Sequence, residues 1–252
     1  ADVRRLSIAR TRPRKLGQLL ADHLPQNTSY VNVGHSNLTK RVLGTMKDAL
    51  TSKISVMIHD VIPLDFPQYQ RAGTVEVFRS KLEMVQKYAD LVIYNSRDTQ
   101  LRSEAHFANY GDVPRGVVAH LGVDIPEIDA SFSLPQQPYF VSVSTIEPRK
   151  NHALLLDLWQ QLGPNAPELH ICGGRGWNND VTFQRLDALP RDSKVVERSD
   201  LTDPQLAALV QGACGTLYPS FAEGFGLPMV ESAALGIPIL CNDLEVLREI
   251  LG

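Results

Sequence analysis

The chain has 252 residues, 43% of them hydrophobic, and a formal net charge of −3. That is enough apolar material for one large core or two modest ones, and the acidic balance excludes a surface built to attract nucleic acid. No apolar run approaches the roughly 20 residues that span a bilayer.

In chain order, the start A-D-V-R-R-L-S-I-A-R-T-R-P-R-K is strongly basic. It suits either a solvated arm or helix face, or a patch for anionic lipid or phosphate. Y-V-N-V (30–33) reads as a strand, 38–50 as a helix and I-S-V-M-I-H-D (54–60) as a second strand. A helix over 75–88 puts Phe78, Leu82 and Val85 on one stripe. Strands follow at A-D-L-V-I-Y-N-S (89–96) and R-G-V-V-A-H (115–120).

Residues 121–138 carry three prolines and little periodicity, the composition of a linker. Alternation resumes with Y-F-V-S-V-S (139–144). The next helix has Leu154, Leu155, Leu158, Trp159 and Leu162 at helical spacing. Strands are expected at E-L-H-I-C-G-G (168–174), near Val195, at 215–218 and at P-I-L-C (238–241). Neither an internal repeat nor a low-complexity tract appears. The expected fold is α/β: two Rossmann-like domains, 1–126 and 127–252, built on parallel sheets.

No signal peptide is visible. Cys172, Cys214 and Cys241 have no C-x-x-C spacing and sit among apolar residues, so they read as buried thiols of a reducing cytosol.

In open parallel sheets, ligands bind at the carboxyl ends of the strands, so the loops after strands are the places for chemistry. After 215–218 comes F-A-E-G-F-G-L-P-M-V-E-S (221–232). Gly224 and Gly226 permit close backbone approach to a ligand, and Pro228 suits the first turn of a helix capped by Gly236. That helix places Glu231 in its first turn. Dipole compensation alone accounts for an acid there, and Glu223 alone reads as a loop acid; the two acids around paired glycines are more specific.

S-T-I-E-P-R-K-N-H (144–152) sets Arg149 and Lys150 at a helix entrance. This is a solvated pair or a grip on a diphosphate, where charge-assisted bonds contribute about 1.5–3 kcal/mol each. I-H-D-V-I-P-L (58–64) and G-H-S-N (34–37) are polar strand ends; a lone histidine such as His59 is more often structural.

Together these motifs resemble glycosyltransferase family 4, the retaining nucleotide-sugar transferases of GT-B architecture. P-S-F-A-E-G-F-G-L-P-M-V-E is similar to that family's E-x7-E motif, S-T-I-E-P-R-K-N-H to its diphosphate loop, and I-H-D-V-I-P to its first-domain histidine loop. A-D-L-V-I-Y-N-S, V-V-A-H-L-G-V-D, I-C-G-G-R-G-W and S-D-L-T-D-P-Q-L follow in the family's order. The resemblance implies two domains facing across a cleft. It implies that Glu223 binds donor-sugar hydroxyls and Glu231 the donor ribose, that Arg149 and Lys150 hold the leaving diphosphate, and that His59 sits near the transferred sugar. Gly224, Phe225 and Gly226 would approach sugar and phosphates, and Gly173 and Gly174 would border the nucleotide pocket.

The implied activity is retaining transfer of a hexose, with mannose favoured, from a nucleotide-diphosphate sugar such as GDP-mannose. The acceptor would be a glycan or lipid-linked saccharide of polysaccharide synthesis. Neither metal nor resident cofactor is expected. The implied setting is cytoplasmic, with peripheral contact on an anionic inner membrane face. The competing reading is a non-catalytic module that binds a nucleotide-sugar or a protein; a dehydrogenase reading lacks G-x-G-x-x-G.

The chain departs from the family in three ways. It opens without the usual strand and glycine-rich loop, it stops at R-E-I-L-G where members continue, and Thr145 stands where many carry arginine. An incomplete first domain, a second domain without its closing elements, and a compensating role for Arg149 are the expectations.

Overall fold

Each of the expected strand runs lies in one of two all-parallel sheets in the computed structural model, which describes residues 9–124 and 127–252. Residues 1–8 of the basic start, and residues 125 and 126 at the expected change of domain, lie outside the described residues. The chain divides into two compact units. The first comprises Ala1–Leu64 and Gly73–His120; the second comprises Asp65–Ala72 and Leu121–Gly252.

In the first unit the elements are α1 (Leu16–His23), β1 (Tyr30–Asn32), α2 (Lys40–Leu50), β2 (Ile54–Ile58), α3 (Ile62–Asp65, whose last residue belongs to the second unit), α4 (Thr74–Tyr88), β3 (Leu91–Tyr94), α5 (Arg97–Phe107) and β4 (Gly116–Val118). The strands wind in one direction, β1-β2-β3-β4. Tyr30 pairs with Ile54 and Asn32 with Val56, an offset of 24 residues. Strand β2 alternates buried and half-buried positions, and Ile54, Val56 and Ile58 pack on Leu43 and Leu50 of α2 and on Phe78, Leu82 and Val85 of α4. The stripe expected on α4 is thus the face it buries. Thr39 and Ser96 cap α2 and α5 by accepting from Val42 N and Thr99 N.

The second unit holds β5 (Tyr139–Val143), α6 (His152–Leu162), β6 (Glu168–Cys172), α7 (Asp180–Asp187), β7 (Val195–Arg198), α8 (Asp203–Gln211), β8 (Gly215–Tyr218), α9 (Leu227–Ala234), β9 (Ile239–Cys241) and α10 (Glu245–Leu251). Its strand order is β7-β6-β5-β8-β9, so the winding reverses between β5 and β8. Reversal parts the loops that follow the two central strands and opens a crevice at their carboxyl ends.

Three local expectations are corrected. Helix α6 buries His152, Leu155, Leu156 and Trp159, while Leu154, Leu158 and Leu162 form an exposed second stripe; the helix is apolar on two faces, and only one meets the sheet. Helix α9 starts at Leu227, one residue before Pro228, which leaves Glu231 beyond the first turn. Its far end is closed as expected at Gly236, with Gly236 N donating to Ala233 and Ile237 N to Ser232. Finally, of the three free thiols Cys172 is buried, Cys214 exposed and Cys241 half-buried, so burial holds fully for Cys172 alone.

The excursion Asp65–Ala72 is built into the second unit. Tyr69 stacks on Phe221 with ring centroids 5.7 Å apart, Trp177 Nε1 donates to Tyr69 O at 3.0 Å, and Asn178 Nδ2 donates to Gln70 O at 3.0 Å. The Arg71 guanidinium lies over the Trp177 ring at 4.9 Å.

Candidate functional site

The reversal between β5 and β8 sets the loop of residues 144–151 beside the loop of residues 219–226. The first runs through a short 3-10 turn, Pro148–Lys150, and enters α6 with Asn151 in the left-handed conformation at φ 55°. This turn aims both cations at the second loop. Lys150 Nζ donates to Glu223 Oε1 at 2.6 Å. Arg149 Nη1 donates to Glu223 Oε2 at 3.1 Å and to the Ala222 carbonyl at 2.6 Å. The backbone joins in, Phe221 N donating to Arg149 O at 2.8 Å.

A fourth member went unmarked in the sequence. Glu147 accepts from Arg149 Nη2 at 2.6 Å and is only 3% exposed. Two carboxylates and two cations therefore balance in a nearly dry cluster. Side-chain exposures of 5% for Glu223, 11% for Lys150 and 17% for Arg149 put these pairs in the regime where breaking one is costly.

Burial pushes the Glu223 carboxyl up, but Lys150 and then Arg149 outweigh it and hold it below the usual carboxylate range. Burial also opposes the Arg149 charge, and Glu223 and Glu147 more than offset it, leaving Arg149 raised. Lys150 ends lowered, because burial together with the Arg149 charge exceeds the pull of Glu223.

On the other side of β5 the loop meets the glycine turn after β6. The β5–β6 pairing, Val143 with Cys172, continues as a bridge between Ile146 and Arg175. Gly173 sits at φ 147°, and a Cβ there would lie 2.1 Å from Ser144 O, so no side chain fits. Gly173 and Gly174 line a cleft of about 260 Å³ with Ser144, Thr145, Arg198 and Leu206. Behind it, His152 at the start of α6 places Nε2 3.2 Å from Ser144 Oγ, and burial followed by the Lys150 charge lowers His152 to about 4.

Glu231 occupies a neighbouring cleft of about 170 Å³ with Asp124, Asp203 and Ser232; the two clefts share Val143 and Leu206. Burial, then Asp203, pushes the Glu231 carboxyl up. Gly226, at φ 92°, turns the chain from the Glu223 loop into α9; a Cβ there would press on Leu247 at 2.9 Å. Phe225 is buried. Arg149, Lys150 and Glu223 are thus in direct contact, Gly224, Phe225 and Gly226 continue from them, and Gly173, Gly174 and Glu231 line the adjoining clefts. Arg198, which donates to His170 Nδ1 at 3.0 Å, and Asp203 join these linings without a signal beyond their place at the end of β7 and at the head of α8.

His59 belongs to the first unit, after β2. Its Nε2 lies 2.7 Å from Val33 O, its N–H donates to His35 Nε2 at 3.3 Å, and its carbonyl accepts from Asn95 Nδ2 at 2.8 Å. Among the described residues there is no group of three or more His, Cys, Asp or Glu placed to hold a metal ion.

Residues 124–252 match the family model described as glycosyl transferases group 1. Over 214 residues, 77% of this chain and 26% of the relative, the chain is 28% identical to the serotype-specific mannosyltransferase WbdA of Escherichia coli. Over 124 residues, 48% of this chain and 32% of the relative, it is 35% identical to the O-antigen chain mannosyltransferase B of Escherichia coli. The chain therefore spans about a quarter to a third of these curated relatives. The solved structure of Anabaena Alr3699/HepE in complex with UDP-glucose superposes with a TM-score of 0.67 at 17% identity, covering 94% of this chain and 64% of that one. At that identity the likeness shows the fold, which is GT-B.

Proposed function

The chain belongs to the group 1 glycosyl transferases, and from that premise we propose that it takes part in retaining transfer of a hexose, mannose first, from a nucleotide-diphosphate sugar to a glycan or lipid-linked acceptor of polysaccharide synthesis. The observation that carries this reading is the contact of Glu223 with Lys150 and Arg149 at the winding reversal, beside a cleft walled by Gly173 and Gly174. The names of the E. coli relatives, both mannosyltransferases, favour mannose, and GDP-mannose is the donor to try first.

Breaking the bond between anomeric carbon and phosphate builds negative charge on the departing diphosphate and positive charge on the sugar. Cations fixed before the reaction help to the extent that they meet that charge better than water does. Arg149 is held by two carboxylates and a carbonyl, so it serves as the rigid wall. Lys150 donates to Glu223 and has two further N–H donors to offer a phosphate oxygen. Glu223, kept ionised by its neighbours, accepts sugar hydroxyls, and Glu231 in the adjoining cleft accepts from the ribose. In this scheme the acceptor attacks on the face the diphosphate leaves, and the diphosphate takes the acceptor's proton.

The test is thermal stabilisation by a panel of nucleotide-sugars. A donor at 100 times its Kd adds about 2.7 kcal/mol to wild type, and Lys150→Ala and Glu231→Ala lose most of that gain. A nucleotide-sugar that stabilises all three proteins equally would remove the site.

We place the protein in the cytoplasm, with the basic start as a peripheral contact on anionic lipid. Arg12, Arg14 and Lys15 are exposed, and no helix among the described residues is long and apolar enough to cross a membrane. Binding to anionic vesicles that fades as salt rises supports the contact; no binding at low salt ends it.

A further inference from the structure

One face of β6 carries Glu168, His170 and Cys172, since side chains two apart share a side of the sheet. The register sets Cys172 opposite Arg198, the last residue of β7, and His170 opposite Val196, so Arg198 is the diagonal neighbour of His170 on that face. Three polar side chains then bond in a row. Arg198 Nε donates to His170 Nδ1 at 3.0 Å, and His170 Nε2 lies 3.1 Å from Glu168 Oε2. A guanidinium only donates, so Nδ1 is bare; a carboxylate only accepts, so the ring proton is on Nε2. One neutral tautomer meets both contacts. His170 is 1% exposed and stands edge-on to Tyr139, with ring centroids 5.3 Å apart. Burial, with the Arg198 charge behind it, lowers His170 against the pull of Glu168 and keeps the ring neutral.

This row uses only the Nε of Arg198. Nη1 and Nη2 make no bond to a described residue, and both stay accessible. The guanidinium is thus fixed at its inner edge and leaves a two-nitrogen fork open beside the cleft of about 260 Å³ that Arg198 lines. Arg198 is the one charged side chain among the described residues of that lining. Val143, Cys172, Leu201 and Leu206 give the cleft apolar walls, and the bend at Gly173 keeps a side chain out. The adjoining cleft is of the other kind, lined by Asp124, Asp203 and Glu231. Apolar walls suit a flat ring; an open guanidinium fork suits two acceptors side by side on that ring's edge.

We propose that Arg198 selects the base of the nucleotide donor: its fork pairs with O6 and N7 of a guanine whose ring lies in this cleft, and Glu168 and His170 are the positioning residues that hold the fork. The assignment rests on the glycosyl-transfer reading, which puts the ribose at Glu231 and so the base in the adjoining cleft. Guanine presents two acceptors on one edge. Adenine presents N7 beside an amino donor and uracil offers O4 alone, so either leaves half of the fork unmatched. A matched bidentate pair discriminates against the wrong base by on the order of 10- to 100-fold. The phosphates are left to Lys150 and Arg149, and Arg198 acts on the base alone.

The experiment is calorimetry of GDP, 7-deaza-GDP, ADP and UDP with the full chain. Wild type should bind GDP more tightly than each of the others by about 10-fold or more. The 7-deaza analogue lacks the N7 acceptor, so that comparison needs no variant. Arg198→Met should bring GDP down to the level of the others and leave UDP unchanged. Arg198→Lys, which keeps the charge without the fork, should not restore the preference. His170→Phe, which frees the inner edge of the guanidinium, should lose part of it; melting curves show that each variant is folded. GDP and 7-deaza-GDP binding alike in wild type overturns the proposal. An equal loss of GDP and UDP in Arg198→Met does so too, since it puts Arg198 on the diphosphate. Lys150→Ala separates this assignment from the reading beneath it, because it should weaken every nucleotide together. If it does and GDP has no advantage in wild type, the base assignment falls and the transfer reading stands. If Lys150→Ala weakens none while Arg198→Met abolishes a GDP preference, the base assignment stands and the diphosphate grip falls. Binding of no nucleotide by wild type overturns both.

Discussion

The two units end their central strands in opposite ways. At the end of β2 the first unit gathers the His35 and His59 rings with Asn95 and Thr99, joined by directional bonds. At the ends of β5 and β8 the second gathers four charges that cancel. The difference follows the winding. A sheet wound in one direction brings neighbouring loops together one pair at a time, whereas a reversal lets loops far apart in sequence converge on one crevice. Residues 149 and 223 meet across 74 positions of chain for that reason.

The largest expected effect breaks the charge balance. Glu223→Ala leaves Lys150 and Arg149 buried with too few partners, and urea unfolding should show a loss of about 3–5 kcal/mol. A loss below 1 kcal/mol would mean that the cluster is wetter than its exposures indicate.

Next is pH, to which both units should respond with the same sign. His152 is 1% exposed and lowered to about 4, so its folded pKa lies below the unfolded 6.5. Its contribution is therefore complete above 6.5 and lost as pH falls toward 4, on the order of 3 kcal/mol. His35 follows the same sign over the same window. Glu223 is also lowered, so its contribution is lost with falling pH as well, but only below the ordinary carboxylate range. Stability curves of His152→Phe should be flatter between pH 6.5 and 4 than those of wild type, and coincidence of the two would contradict the assignment.

Smaller effects come from the glycines. Gly173→Ala forces a Cβ onto Ser144 O and should cost about 1–3 kcal/mol, with weakened binding of GDP-mannose by calorimetry. Gly174→Ala, which meets no atom within 4 Å, should stay within about 0.5 kcal/mol of wild type. Equal effects would show that the turn after β6 is not the tight one described.

Strands such as β2 and β8 were legible because apolar runs bounded by polar residues have few other uses, and α4 because its buried stripe is its apolar stripe. Helix α5 was not, since it buries Thr99 and Ser103 beside Phe107 and has little apolar periodicity; the Ser96 cap was its one local sign. Helix α8 opens on a capping box, Thr202 with Gln205, a local sign that the sequence reading passed over. Glu147 stood in plain view beside Arg149, yet acids next to bases are usually solvated pairs, and its burial depends on the neighbouring loop. The partnership of His35 with His59 needs the register of β1 on β2, which no single strand encodes.

The chain crosses from one unit to the other at residues 64–65, 72–73 and 120–121, because Asp65–Ala72 belongs to the second. Neither unit can therefore be cut out as one uninterrupted segment. A product beginning at residue 121 would leave the Phe221 ring, two residues from Glu223, without its stacking partner and the Trp177 indole without its acceptor. Expression of separate halves should thus carry the eight-residue insert as a supplied peptide, and mixing the two should recover heat resistance that the shortened half lacks.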